Sequence, residues 1–207
     1  MNALPIDTTG LLAIAAALGW ASGLRLYAVV FLTGLAGHLG WVQLPAGLHV
    51  LQSNAMLAAS GLMLFVEFFA DKIPGLDSLW DMVHTVVRIP AGAALAAAVF
   101  GADQASWAMA AALMGGTLAA TSHVAKATTR AALNTSPEPF SNVAMSLLGD
   151  SVVPASLWLS WTHPYLFFAA LAVALVVMLA LTWVFAKFLR RLARRVSGWF
   201  GAGQPSV

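Results

Sequence analysis

Apolar runs of about 20 residues, each long enough to cross a hydrocarbon core of about 30 Å, recur along this chain. Six can be drawn, over roughly 10–39, 53–71, 79–100, 105–128, 140–161 and 164–187. The charge count agrees with them. Only 9% of the residues are charged, against roughly a quarter in a soluble domain that must coat itself with solvated groups. Lipid removes that need, so the sequence predicts an all-α, polytopic membrane bundle of about six spans. Residues 1–188 form one transmembrane domain on this reading, and 189–207 a basic tail. The first run covers about 30 residues, or about 45 Å of straight helix, which exceeds the core. It also carries Trp20-Ala21-Ser22-Gly23 ahead of Arg25. A long tilted helix, a broken helix and a re-entrant hairpin all fit it.

Basic residues give an orientation. Lys187, Arg190, Arg191, Arg194 and Arg195 follow the last run directly, which reads as a topology signal that meets anionic lipid rather than a nucleic-acid surface. If the first run crosses once, both termini share a side. Lys72, Lys126 and Arg130 then join the tail there, while the connections near 40–52, 100–104 and 161–164 hold no Lys or Arg. The positive-inside rule makes that side the cytoplasm of a bacterial-type inner membrane. Met1–Gly10 lacks the basic region of a cleaved signal peptide. No cysteine is present, which excludes disulfides, thiol catalysis and thiolate metal sites.

The middle four runs read as two helical hairpins with polar apices, at 71–78 and 134–142. A shift of 64 residues lays Pro90 over Pro154 and Asp77-Ser78 over Ser141-Asn142. Such a match suggests an internal repeat, a pattern known from transporters.

Ionisable residues inside apolar runs are the most informative for function, because a charge at the bilayer centre needs a partner, water or a role. On the third run Asp77, Asp81, His84 and Arg88 recur at helical spacing along one face, while Leu79, Met82, Val83 and Val86 lie on others. Glu67, Asp71 and Lys72 close the second run. His123, Lys126 and Arg130 share a face of the fourth, with Asn134 just beyond. Asp150 sits within the fifth and Arg25 within the first. Turned inward, these acids and bases would form a nearly neutral buried network. Pairing or helix capping alone would account for single members of the set. A seam this long suggests a binding site or a path, with Asp150 and His84 completing its inner end. Glu67, Asp71, Asp77 and Asp81 are candidate oxygen ligands for a hard cation, the two histidines for a proton relay, and Arg25, Lys126 and Arg130 for an anion or headgroup. Trp20, Trp41, Trp80, Trp107, Trp158, Trp161, Tyr165 and Trp183 suit interfacial belts. The small-residue run from Ala108 to Ala120 suits close helix approach.

Three blocks carry a resemblance: Ser22 to Tyr27 (SGLRLY), Val66 to Asp81 (VEFFADKIPGLDSLWD), and Lys126 to Arg130 (KATTR) leading to Asn134. Together, over roughly 10–185, they resemble a widespread bacterial family of small membrane proteins catalogued as a domain of unknown function. The resemblance implies a compact multi-span domain and supplies no activity. No GxSxG, HExxH or Walker motif is present, and nothing calls for a cofactor or marks an enzyme. The leading expectation is a transporter or channel for a small ion or polar solute. The alternatives are lipid-headgroup translocation or an enzyme acting on a lipid-linked phosphate, and a non-catalytic assembly protein. The expected partners are the bilayer, with anionic lipid at the tail, and a small ion or solute; a homodimer is compatible with a bundle of this size.

Overall fold

The computed structural model describes residues 7–135 and 140–201, the side chains of 196–201 excepted. Six α-helices follow in order: α1 Thr8–His38, α2 Asn54–Ala70, α3 Leu76–Ala98, α4 Ala105–Leu133, α5 Phe140–Thr162 and α6 Pro164–Gly201. Short 3-10 segments stand at Ala46–Gln52 and Ala102–Gln104, and there is no strand among the described residues. Polar residues at the connections start the helices. Asp7 accepts from the Gly10 amide at 2.8 Å to cap α1, and Ser53 accepts from Met56 at 3.3 Å to cap α2. Gly75 opens α3 at φ 85°, a conformation that side chains resist. Of the second predicted apex, 136–139 lie outside the described residues.

The predicted runs coincide with the six helices. Four of these, α1, α4, α5 and α6, are long and apolar enough to cross a membrane, and Ala46–Gln52 with α2, bent by 68°, makes a fifth. The polar stripe of α3 lowers its hydropathy, yet α3 runs antiparallel to α4 along its length: Gly92 and Ala96 lie against Gly115, and Thr85 reaches His123.

The long first segment is a hairpin. Arg25 has an extended backbone (φ −149°, ψ 86°) between two helical stretches. Before it, Gly19 lies against Gly115 and Gly23 against Ala119 and Ser122, and Leu24 bonds Lys126. That half runs parallel to α4. After it, Phe31 packs on Gly61, and Gly34 on Leu51 and Leu57. The second half therefore runs antiparallel to α2. Since α2 and α4 end together, where Asp71 meets Lys126 and Arg130, the two halves of α1 have opposite directions and the tip is Arg25. Both ends of α1 lie at the far end of the bundle.

One expectation changes as a result. Asn142 bonds Asp77, so α5 starts at the Asp77 end and runs away from it, and α6 returns. Thr8 and the basic end of α6 thus lie at opposite ends of the bundle. Shared sides for the two termini required a single crossing by the first segment, and it folds back instead. The basic run itself continues α6 as helix to Gly201.

Ala13 to Leu18, on the first half of α1, are fully buried. A helix packed on all sides has to be apolar all round, as this one is. Small residues let its neighbours close in. Gly19, Gly92, Ala96, Gly115 and Ala119 bring α1, α3 and α4 together with little side chain between them. The internal repeat gains no support here. A shift of 64 residues lays α2, α3 and α4 over α4, α5 and α6; the two hairpins α2–α3 and α4–α5 both touch little, but α3 packs closely on α4 whereas α5 barely meets α6. Trp20 also departs from the predicted belts, being buried in the bundle, whereas Trp41, Trp158 and Tyr165 are exposed.

Candidate functional site

A charge buried away from water costs several kcal/mol unless it is paired, so a few left unpaired would consume the whole stability of an ordinary domain, about 5–15 kcal/mol. Pairing is therefore compulsory, and the fold supplies it. Every acid and base proposed from the sequence for the seam joins one cluster of five carboxylates and five cations.

Asp71, at the end of α2, is the hub. Its Oδ2 lies 3.1 Å from Arg25, 3.0 Å from Lys126 and 3.3 Å from Arg130. Arg88, fully buried on α3, bridges Glu67 at 2.7 Å and Asp81 at 2.6 Å. Lys126 also reaches Asp81 at 3.1 Å. Arg130 reaches Asp77 at 3.2 Å and donates to the Asp71 carbonyl at 3.1 Å. Asp150 on α5 completes the set, 3.0 Å from Arg25 and 3.1 Å from Lys72. The break in α1 has its own partner: Lys126 donates to the Leu24 carbonyl at 3.0 Å, which satisfies an acceptor that an ending helix leaves open.

The stripe on α3 faces inward as its periodicity requires. Asp77, Asp81, His84 and Arg88 are buried, whereas Leu79, Met82, Val83 and Val86 are exposed. Asp77 is engaged throughout. Its Oδ1 accepts from the amides of Gly75 and Ser78 at 2.9 and 2.6 Å and from Asn134 at 3.0 Å, and its Oδ2 accepts from Asn142 at 3.0 Å. His123 meets Thr85 at 2.7 Å and Arg88 at 3.4 Å. His84 stands to one side, bonded to the Trp80 carbonyl at 2.8 Å and the Tyr27 hydroxyl at 3.1 Å. Its partners are those two residues rather than Asp150.

Among the described residues, no three His, Asp or Glu side chains are grouped to hold a metal ion. Glu67, Asp71, Asp77 and Asp81 are each turned to Arg or Lys instead. Ser146, Asn142 and Tyr27 are missing from the sequence-derived set. Ser146 Oγ accepts from Arg25 at 2.8 Å and from Lys72 at 3.3 Å. The signal for two of them is on α5: Asn142, Ser146 and Asp150 repeat every four residues, the pattern already used on α3.

Several buried polar atoms have no hydrogen-bond partner, including Arg25 Nη1, Glu67 Oε2 and Trp20 Nε1. Two cavities reach Arg25 on either side of α5. One, of about 230 Å³, lies among α1, α4, α5 and α6, with Arg25, Asp71, Lys126 and Arg130 in its wall. The other, of about 470 Å³, lies among α1, α2 and α5, and Arg25 and Asp150 are its charged residues.

Residues 12–184 match the model of one family, described as Domain of unknown function (DUF4126). No curated protein and no solved structure matches the chain.

Proposed function

We propose, for a chain that belongs to the DUF4126 family of uncharacterised function, that it is a membrane carrier for a charged ion or polar group. On this reading Arg25 and Asp150 form the site and α5 is the moving wall. The observation that carries it is the pair of cavities meeting at Arg25 from the two sides of α5. A site that must face two compartments in turn needs a wall with little fixed packing. α5 leans mainly on α1 and touches α4 and α6 sparingly. Its polar links, Asn142 to Asp77, Ser146 to Arg25 and Asp150 to Arg25 and Lys72, all lie toward one end. A charged substrate that displaces Asp150 from Arg25 would exchange one ion pair for another, so the site is not left with an unbalanced buried charge. Helices packed around such a pair can then rock between two arrangements. Glu67, Asp81, Arg88, Lys126 and Arg130 hold the opposite wall rigid.

Charge movement on a solid-supported membrane tests this with the protein in liposomes. The panel is protons, Na⁺, K⁺, Mg²⁺, Ca²⁺, chloride and phosphate, with tracer uptake run beside it to catch neutral exchange. A saturable signal for one solute, reduced at least tenfold by Asp150→Asn, is the expected result. No signal from folded protein in either assay would overturn the reading of a carrier for a small inorganic ion.

A further inference from the structure

Deepening that reading, we infer that the cavity among α1, α4, α5 and α6 takes the phosphate head of an acyl lipid, making the carrier's substrate class an anionic amphiphile. The polar end of this cavity is cationic. Arg25, Lys126 and Arg130 line it against a single carboxylate, Asp71. Two residues of this wall, Arg25 and Trp20, each carry a buried donor without a partner, Nη1 and Nε1, although buried N–H groups are almost always satisfied. Arg25 is 2% exposed, so bulk water does not serve it. A phosphate oxygen brought to these donors would satisfy them, and guanidinium groups suit phosphate geometry.

The rest of the wall is apolar, from Met145, Leu148 and Val152 on α5 and Ala174, Val177 and Met178 on α6. A hydrated inorganic ion gains nothing from such a wall. An acyl chain does. The cavity, of about 230 Å³, is far smaller than a whole acyl lipid. It accommodates a head and a few methylenes, so the remaining chain has to leave. Leu148 and Val177 line the cavity and are also about half exposed on the outside of the bundle. The mouth is therefore lateral, between α5 and α6, where a bundle of apolar helices meets acyl chains. Basic pockets between membrane helices bind acidic lipid heads by the same physics.

Native mass spectrometry of the full chain in detergent tests the inference, with phosphatidic acid, phosphatidylcholine and inorganic phosphate as probes. Phosphatidic acid should bind one to one, at least tenfold more tightly than phosphatidylcholine. Arg25→Gln and Ala174→Phe should each weaken it at least tenfold, the second by filling the apolar part without touching a charge. Arg191→Gln, on the distant end of α6, should leave it unchanged. If Arg25→Gln does not fold, Ala174→Phe carries the test alone. Equal retention of phosphatidylcholine, tight binding of inorganic phosphate unaffected by Ala174→Phe, or a loss confined to Arg191→Gln would each overturn the inference. Liposome assays separate it from the carrier reading. Bound phosphatidic acid that never changes leaflet sinks the carrier and leaves the site. Ion movement indifferent to Ala174→Phe sinks the site and leaves the carrier.

Discussion

Arg88 and Lys72 carry the same charge and belong to the same cluster, yet their surroundings separate them. Arg88 is fully buried and is the cation that Glu67 meets, while Lys72 and Asp150 are each about a fifth exposed, at 20% and 21%. Removing one partner of a buried pair strands the other in a medium that cannot solvate it, at a cost of about 3–5 kcal/mol. Removing one partner of a pair that water reaches costs about 1 kcal/mol or less. Arg88→Met should therefore abolish folded yield or lower the melting temperature steeply, and Lys72→Met should shift it only slightly. Thermal unfolding in detergent reads both. Adding Glu67→Gln to Arg88→Met should recover part of the loss, because it removes the stranded charge. Equal, small shifts for the two single variants would show that water reaches the buried cluster.

At the scale of elements, glycine and the break in α1 decide the packing. A methyl group on Gly19 would overlap the backbone of Gly115, whereas one on Gly116 would meet Ala93 Cβ at 3.3 Å and the Ile89 carbonyl at 4.0 Å. Gly19→Ala should thus cost about 1–3 kcal/mol by forcing helices apart, and Gly116→Ala close to nothing. The hairpin gives a sharper prediction. Because the chain has no cysteine, single cysteines report position cleanly. Thr8→Cys and Leu39→Cys, both at exposed positions, should react with an impermeant maleimide from one face of the membrane, and Ile73→Cys from the other. Labelling of Thr8→Cys and Leu39→Cys from opposite faces would require a single crossing. The six helices and the inward stripe on α3 were legible because lipid-length runs and a period of 3.6 are local properties. The turn at Arg25 was legible only as an anomaly, an overlong run with a charge inside it. What settles it is which neighbours each half packs on, and spacing along the chain does not encode that. The cluster was legible as a set, since buried charges have to balance. Its pairings, such as Asp71 with three cations while Glu67 meets Arg88, were not, because they depend on how three helices rotate against one another.

Across the whole molecule, cohesion is uneven. α1, α3 and α4 form a closely packed centre, and the charged cluster fastens the end where α2, α4 and α6 finish and α3 and α5 begin. α5 is attached to that centre by one apolar face on α1 and by polar links concentrated near its start. Local opening follows the density of buried contacts, so elements with few of them open at a smaller free energy than the global one. Amide exchange in α5 should accordingly run faster than in the first half of α1, where Ala13 to Leu18 are fully buried. Asp150→Asn weakens the pair with Lys72, which water partly reaches, and the pair with Arg25, which keeps Asp71, and it leaves the carbonyl side of the amide to accept a hydrogen bond. The expected loss of about 1 kcal/mol corresponds to a five- to tenfold rise in exchange across α5, with α1, α3 and α4 unchanged. Hydrogen–deuterium exchange in lipid nanodiscs measures this directly. A rise spread evenly over every helix would mean that Asp150 holds the whole bundle together. It would remove the independent motion of α5 on which alternating access depends, while leaving the cationic cavity beside it in place.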